Sequence, residues 1–294
     1  MDYGLLKQYE PLYVIGHKNP DIDSVVSSIL LCNILKSHDI ECYPCFLDNN
    51  YEIEEQSKKM IDDCASLNMK ILSSDELDNL NFVLVDHNDP NQSIGLNKRI
   101  VWGIDHHPNS KYLSNIYIKM LSSCSLLIFD YFKDYEFSNE EKFMIFMATL
   151  DDTALFKKKK IVEKDQDIID RLGFDLDSEE LFNKYFILTD MNKDLKDYLK
   201  SPERKYNYRN IEFGCTLINT TDEYEYLKKS FIENINKLEG NYLGIWTNYS
   251  KDITYTYFKY NDEIIEKIYD YIAGRALDVI PDIYKYIDKL LDTI

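Results

Sequence analysis

Positive charge is what this chain is short of. Across 294 residues, 34 Lys and Arg stand against 52 Asp and Glu, a formal net charge of -18, with an isoelectric point near 4.7. Such an envelope repels a phosphate backbone, so duplex nucleic acid is not expected as a partner. Long apolar runs are missing as well. Without one of about eighteen residues no membrane-spanning helix is expected, nor any other membrane partner. The opening residues, Met1-Asp2-Tyr3-Gly4, carry neither the basic flank nor the apolar segment of a secretory signal. Six cysteines, at 32, 42, 45, 64, 124 and 215, make no regular framework, which fits a reduced cytoplasmic setting better than a disulfide scaffold. Cys42 and Cys45 have CxxC spacing but no second pair, and residues 41–46 (ECYPCF) read better as a strand than as a zinc or redox loop. No internal repeat is evident, and no segment is biased enough to be disordered.

Histidine is scarce too, five in all, yet four of them fall in three short motifs, each just after an apolar run. These are Gly16-His17-Lys18-Asn19-Pro20-Asp21-Ile22-Asp23, Val85-Asp86-His87-Asn88-Asp89 and Ile104-Asp105-His106-His107. The fifth, His38, lies on a polar helix end and reads as surface.

With 45% hydrophobic residues the chain can bury a substantial core, and its length suits two medium domains. Residues 12–16, 40–46, 81–85 and 100–104 read as strands. Helical spacing over 23–35 and a polar-faced helix over 54–65 separate the first three. That alternation predicts an α/β fold with a mainly parallel sheet in a first domain, 1–191, continuing helically through 122–156 and 165–189. A polar stretch punctuated by Ser201-Pro202 marks a linker at 192–203. A smaller mixed α/β domain, 204–294, follows, with strands over 211–218, 242–247 and 253–258 and helix between the first two.

In open parallel sheets the crevice beyond the strand ends is the default ligand site, and all three histidine motifs leave strands there. Mixed imidazole and carboxylate donors suit Mn, Co, Zn or Fe better than Ca. His17 and Asp21 could take one ion and Asp23 a second, with Asp86 bridging, as two cations about 3.5–4 Å apart require. A lone His-x-x-x-Asp loop is more often a helix cap. Three such motifs at successive strand ends point instead to a dinuclear centre that hydrolyses a phosphate ester or anhydride.

These motifs resemble the DHH phosphoesterase superfamily, in its branch with a DHHA2-type second domain typified by the manganese-dependent family II inorganic pyrophosphatases. Residues 16–23 resemble that family's GHxxPDxD, 85–93 its VDHN element with a following QS, and 104–107 its DHH. Ser123-Cys124-Ser125 and residues 150–157 (LDDTALFK) resemble two later first-domain elements. The phase of the last points to Asp152 as a metal ligand, Asp151 being its neighbour. The resemblance implies one metal on His17, Asp21, Asp86 and Asp152, and a second on Asp23, Asp86, His106 and Asp152. It implies His107 as the catalytic histidine, Asp105 orienting the histidine pair, and His87 as structural or supporting. Mn is the implied metal, with Co possible and additional Mg entering with substrate, and a homodimer is implied as well.

The second domain departs from the family pattern. Where the family has SRKKQ followed by a proline, residues 274–281 read GRALDVIP, keeping Arg275 and Pro281 but placing Ala276, Leu277 and Asp278 at the two lysines and the glutamine. A second basic position falls at Arg204 or Lys205, and Pro108 replaces the basic residue that follows DHH. Each lost charge-assisted bond to phosphate is worth roughly 1.5–3 kcal/mol. Lys157 keeps a family position; Lys158 to Lys160, Lys18 and Lys111 are further cations that could compensate. The implied activity is hydrolysis of inorganic pyrophosphate by a metal-bridging hydroxide, with Arg275, Arg204 or Lys205, and Lys157 on the substrate. The rival readings are an exopolyphosphatase or small phosphoester or nucleotide phosphohydrolase on the same core, and a non-catalytic binding protein.

Overall fold

A computed structural model of the protein describes residues 1–48, 55–64, 69–95, 97–109, 112–174, 178–185, 189, 195–200, 202, 204–221 and 224–292. The chain forms two compact units, Met1–Phe156 with Lys160–Phe186, and Lys157–Lys159 with Ile187–Ile294.

In the first unit α1 (Tyr3–Lys7) leads to β1 (Leu12–Ile15), α2 (Ile22–Ser37), β2 (Cys42–Leu47), α3 (Glu55–Cys64), β3 (Lys70–Leu72), β4 (Asn81–Val85), β5 (Arg99–Asp105) and β6 (Ile116–Ile118). Helices α4 (Cys124–Tyr131), α5 (Asn139–Asp152), α6 (Lys159–Asp170) and α7 (Ser178–Tyr185) follow. All strand pairs are parallel, in the order β3-β2-β1-β4-β5-β6. The apolar runs are continuous because both faces of such a sheet are covered. Successive side chains go to opposite faces: Leu12, Val14, Val83 and Val85 join Val25, Leu30, Leu126 and Ile145, whereas Tyr13, Ile15, Phe82 and Leu84 join Leu47, Leu72 and Leu77. Each fully buried aliphatic or aromatic side chain contributes about 1.5–3 kcal/mol. β1 and β4 are neighbours although β2 and β3 intervene in sequence. The chain therefore leaves them in opposite directions, and the crevice at their C-terminal ends is the topological switch point.

The second unit contains α8 (Leu195–Lys200), β7 (Arg204–Tyr208), β8 (Ile211–Thr220), α9 (Tyr224–Asn236), β9 (Asn241–Asn248), β10 (Ile253–Tyr260), β11 (Glu263–Tyr269) and α10 (Ile280–Leu291). Its sheet runs β11-β10-β9-β8-β7, parallel only between β8 and β9, which α9 connects as a crossover. Gly244 lets α9 settle on the sheet, since a Cβ there would lie 2.4 Å from the Phe231 ring.

The α/β class, the mainly parallel first sheet and the smaller mixed second sheet match expectation. Four strands were not anticipated. β3 and β6 are three residues long and sit at sheet edges, too short to show a period. β7 (RKYNY) and β11 (EIIEKIY) are the edges of the second sheet, with polar residues dominating or interrupting the alternation. Of the expected linker, 192–194, 201 and 203 lie outside the described residues. Its described stretch is α8, where Leu195 and Leu199 pack with Phe231 and Ile235. Lys111 also lies outside the described residues.

Candidate metal centre

Gly16 ends β1 and His17 opens the loop to α2. A Cβ on Gly16 would lie 2.6 Å from Ser24 Oγ and 2.8 Å from Ser24 Cβ, so glycine serves close approach here. That approach lets Ser24 Oγ accept from His17 N at 3.3 Å and donate to Asp86 Oδ2 at 2.9 Å. Asp21 caps α2, Oδ1 accepting from Ser24 N at 3.0 Å, while Oδ2 stands 3.4 Å from His17 Nε2. One carboxylate thus serves both as helix cap and as possible ligand.

Asp86 leaves β4 in the left-handed region, φ 60°, a strained conformation of the kind kept at functional sites. Its carboxylate faces two imidazoles: Oδ2 lies 3.3 Å from His17 Nε2 and Oδ1 3.2 Å from His106 Nε2. Asp86 Oδ1 and His106 Nε2 are buried and face each other without hydrogen-bond geometry. Asp152, in the last turn of α5, brings Oδ2 to 3.7 Å from His106 Nε2, and Asp23 Oδ2 lies 4.0 Å from the same nitrogen. Its neighbour Asp151 accepts from Ser57 Oγ at 2.9 Å. His17 Nδ1 is paired with Lys18 O at 2.8 Å and His106 Nδ1 with Leu121 O at 3.0 Å. A backbone carbonyl on Nδ1 selects the tautomer whose Nε2 lone pair points at the carboxylates.

Burial alone would lower His17 and His106, yet the carboxylates around them raise both well above the ordinary imidazole value. Burial pushes Asp23 up to about 6, Asp86 adding to it, and raises Asp152 well above the carboxylate range with Asp23 beside it. Asp86 goes the other way: burial opposes its charge, but His106 and His17 hold it well below the usual value. A divalent cation resolves this conflict, because it takes lone pairs from neutral imidazoles and ionised carboxylates together. Ligand atoms of His17, Asp21 and Asp86 lie within 4.8 Å of one another, as do those of Asp23, His106 and Asp152. The donor set, with buried Asp86 Oδ1 and His106 Nε2 close together but lacking a hydrogen-bond partner, fits two such ions sharing Asp86.

His107 differs from its neighbour. Its side chain is 38% exposed, and Nδ1 is 2.9 Å from Asp105 Oδ1, which also accepts from His107 N at 3.1 Å. Asp105 is fully buried, held by Asn88 Nδ2. His87 is turned away, with Nδ1 on Val85 O at 2.8 Å and Nε2 on Ser93 Oγ at 2.7 Å, and burial brings it down to about 4. His38 stacks on Tyr3 at 3.6 Å between ring centroids. The sequence marks Asn88, Cys124 and Ser125 only as motif members and gives no sign of Ser24 or the Leu121 carbonyl; the amides of Cys124 and Ser125 donate to Asp23 at 2.6 and 2.9 Å.

Residues 11–154 match the family model described as the DHH family, N-terminal domain. That span covers the first sheet and every residue of the carboxylate and imidazole cluster. Residues 11–154 form a DHH-family domain. The chain is also similar to the manganese-dependent inorganic pyrophosphatase of Methanocaldococcus jannaschii, 29% identical over 55% of this chain and 54% of that protein. It is also similar to the probable manganese-dependent inorganic pyrophosphatase of Clostridium acetobutylicum, 25% identical over 77% of this chain and 76% of that one. The first match thus spans about half the relative's length. A solved structure titled as a family II inorganic pyrophosphatase from Methanococcus jannaschii superposes with TM-score 0.70 at 21% identity, covering 93% of this chain and 98% of that one. The DHH domain therefore sits in a chain whose whole fold resembles that protein.

The basic residues expected on substrate fall in the second unit. Arg204 and Lys205 are consecutive on β7 and so project to opposite faces. Lys205 lines a cavity of about 870 Å³ with Gly214 and Tyr242. Arg275 opens a single π-helical turn, Arg275–Val279, and Lys157 belongs to the short stretch grouped with this unit.

Close packing against Ser24 requires glycine at position 16. Alanine there is expected to displace Ser24 and cost about 1–3 kcal/mol of strain, lowering the melting temperature by several degrees. Mn affinity should fall with it, since Asp86 loses its hydroxyl donor. Thermal unfolding with and without Mn checks both; an unchanged melting temperature refutes the packing argument.

Proposed function

We propose that the chain is a phosphohydrolase cleaving phosphoanhydride bonds with two divalent cations, Mn foremost, and that inorganic pyrophosphate is its substrate. The observation that supports this most is Asp86, whose two oxygens face His17 at 3.3 Å and His106 at 3.2 Å, as a carboxylate shared by two ions would. His17, Asp21, Asp86 and Asp152 would hold one ion, and Asp23, Asp86, His106 and Asp152 the other. When bound, the ions supply charge neutralisation for the phosphates and a water acidified enough to react near neutral pH. His107, its Nδ1 occupied by Asp105 and its ring partly exposed, would use Nε2 to hydrogen-bond substrate and hand a proton to the departing phosphate. Arg275, Lys157 and either Arg204 or Lys205 would bind phosphate oxygens. The names of the sequence relatives support pyrophosphate as the substrate.

One observation favours a second reading, the same chemistry on polyphosphate ends or a nucleotide. In the altered segment Asp278 holds its carboxylate inside the turn, accepting from Gly274 N at 2.8 Å and from Tyr271 OH at 3.4 Å, so Arg275 is the one cation that residues 274–281 offer. Phosphate release should be measured from pyrophosphate, polyphosphate and nucleotides with Mn, Co and Mg in turn. Release from pyrophosphate with Mn is the expected result. Failure with all three metals overturns pyrophosphate as substrate, and turnover of polyphosphate or a nucleotide instead establishes the second reading.

A further inference from the structure

Helix α6 buries one side of itself along Val162, Asp165, Ile169 and the following Leu172. Three of these are the apolar residues that spacing of three and four demands. The fourth is a carboxylate, 1% exposed, and a charge so placed is costly unless its oxygens are engaged. Asp165 Oδ2 accepts from both Ser122 N at 2.5 Å and Ser122 Oγ at 2.7 Å. One residue earlier on α6, Lys164 Nζ donates to Met120 O at 2.9 Å. The helix therefore grips residues 120–122 at two points.

What lies between and after those points is the link to chemistry. The Leu121 carbonyl holds His106 Nδ1 at 3.0 Å. Ser123 caps α4, its Oγ accepting from Leu126 N at 3.1 Å, and the next two amides, Cys124 N and Ser125 N, both donate to the Asp23 carboxylate. One short segment thus aims an imidazole and a carboxylate that share the second proposed ion. His17 and Asp21, which belong to the first, are held by Lys18 O and Ser24 N and make no use of this segment.

We infer that Asp165 is a positioning residue: by fixing Ser122 it sets the segment that aims His106 and Asp23, and so governs the second cation position and not the first. This rests on the dinuclear reading above. Outer partners of metal ligands typically contribute 10–100-fold in affinity, and Asp165 acts one step further back through a rigid main-chain segment. Asn at 165 retains the shape and one acceptor but loses the charge that draws in both donors.

Mn and Co titrations of the full-length chain, counting bound ions by equilibrium dialysis, read this directly. Asp165→Asn is expected to weaken the second ion about 10-fold or more, leave the first at its wild-type affinity, and change the visible spectrum of the Co-loaded protein. Ser122→Ala, which keeps the main-chain bond and loses only the hydroxyl, should shift the second ion in the same sense by less; it carries the test if Asp165→Asn does not fold. The exposed Asp167→Asn on the same helix is the control and should match wild type. Equal weakening of both ions, or a fall in melting temperature with both affinities intact, overturns the inference and reduces Asp165 to a helix anchor. A wild-type chain that binds no second ion overturns the dinuclear reading and this inference with it. Two ions in wild type and an unchanged second site in both variants overturns this inference alone.

Discussion

Alanine at Asp86 is expected to abolish phosphate release and empty both cation positions. Among the described residues Asp86 is the carboxylate that faces both His17 and His106, its two oxygens 3.3 and 3.2 Å from different imidazoles. Loss of a shared ligand should exceed the about 10–100-fold drop that follows loss of an outer partner, and it should affect both ions together. The apo protein suffers too. His17 and His106 are raised by carboxylates that include Asp86, and removing the partner of a buried charge costs about 3–5 kcal/mol. Relief of Asp23, which Asp86 pushes up, offsets part of this, but Asp86 itself is held well below the usual carboxylate value. Attraction therefore outweighs repulsion, and a melting temperature lower by several degrees is expected without metal. Wild type should gain about 2.7 kcal/mol when Mn is at a hundred times its Kd, a gain the variant should not show. Calorimetry with and without Mn, beside ion counting, gives both results. Two ions per chain at wild-type affinity in the variant would refute the bridging role.

The histidine and aspartate motifs were legible because strand and loop lie close in sequence: an apolar run, a turn, then donors. Asp86 shows why such loops read well, since an aspartate tolerates the positive φ that this strand end imposes. Residues that hold the donors in place were harder to read. Ser24 looks like an ordinary first-turn helix residue until Gly16 brings it against His17, and Asp165 reads as one acid among many in an acidic chain. Their roles depend on pairing across 62 residues from Ser24 to Asp86 and 43 from Ser122 to Asp165, which no local pattern encodes. The choice between Asp151 and Asp152 was of the same kind. Both are acids at the end of one helix; the phase of residues 150–157 favours Asp152 through the family resemblance, and the physical difference, Ser57 on Asp151 and His106 near Asp152, lies in residues far away in sequence. Edge strands escaped for a different reason, being short or exposed, so neither burial nor period marked them.

Glutamine at His107 is expected to lower kcat by about 10²–10⁴, the range for loss of a general acid or base, while both ions remain bound. The separation follows from geometry. His107 Nδ1 is 3.7 Å from Asp86 Oδ1 but 2.9 Å from Asp105 Oδ1, so its ring is committed to Asp105 and not to the ions. Loss of an ion in the variant would make His107 a ligand instead. Asp105→Asn should reproduce a part of the kcat loss, because the amide no longer fixes which nitrogen carries the proton. If Asp105 acts only by orienting His107, the double variant should be no slower than His107→Gln alone, as for residues that work as a unit. A double variant slower by the product of the single effects would mean that Asp105 acts by another route, its partner Asn88 being the first to examine.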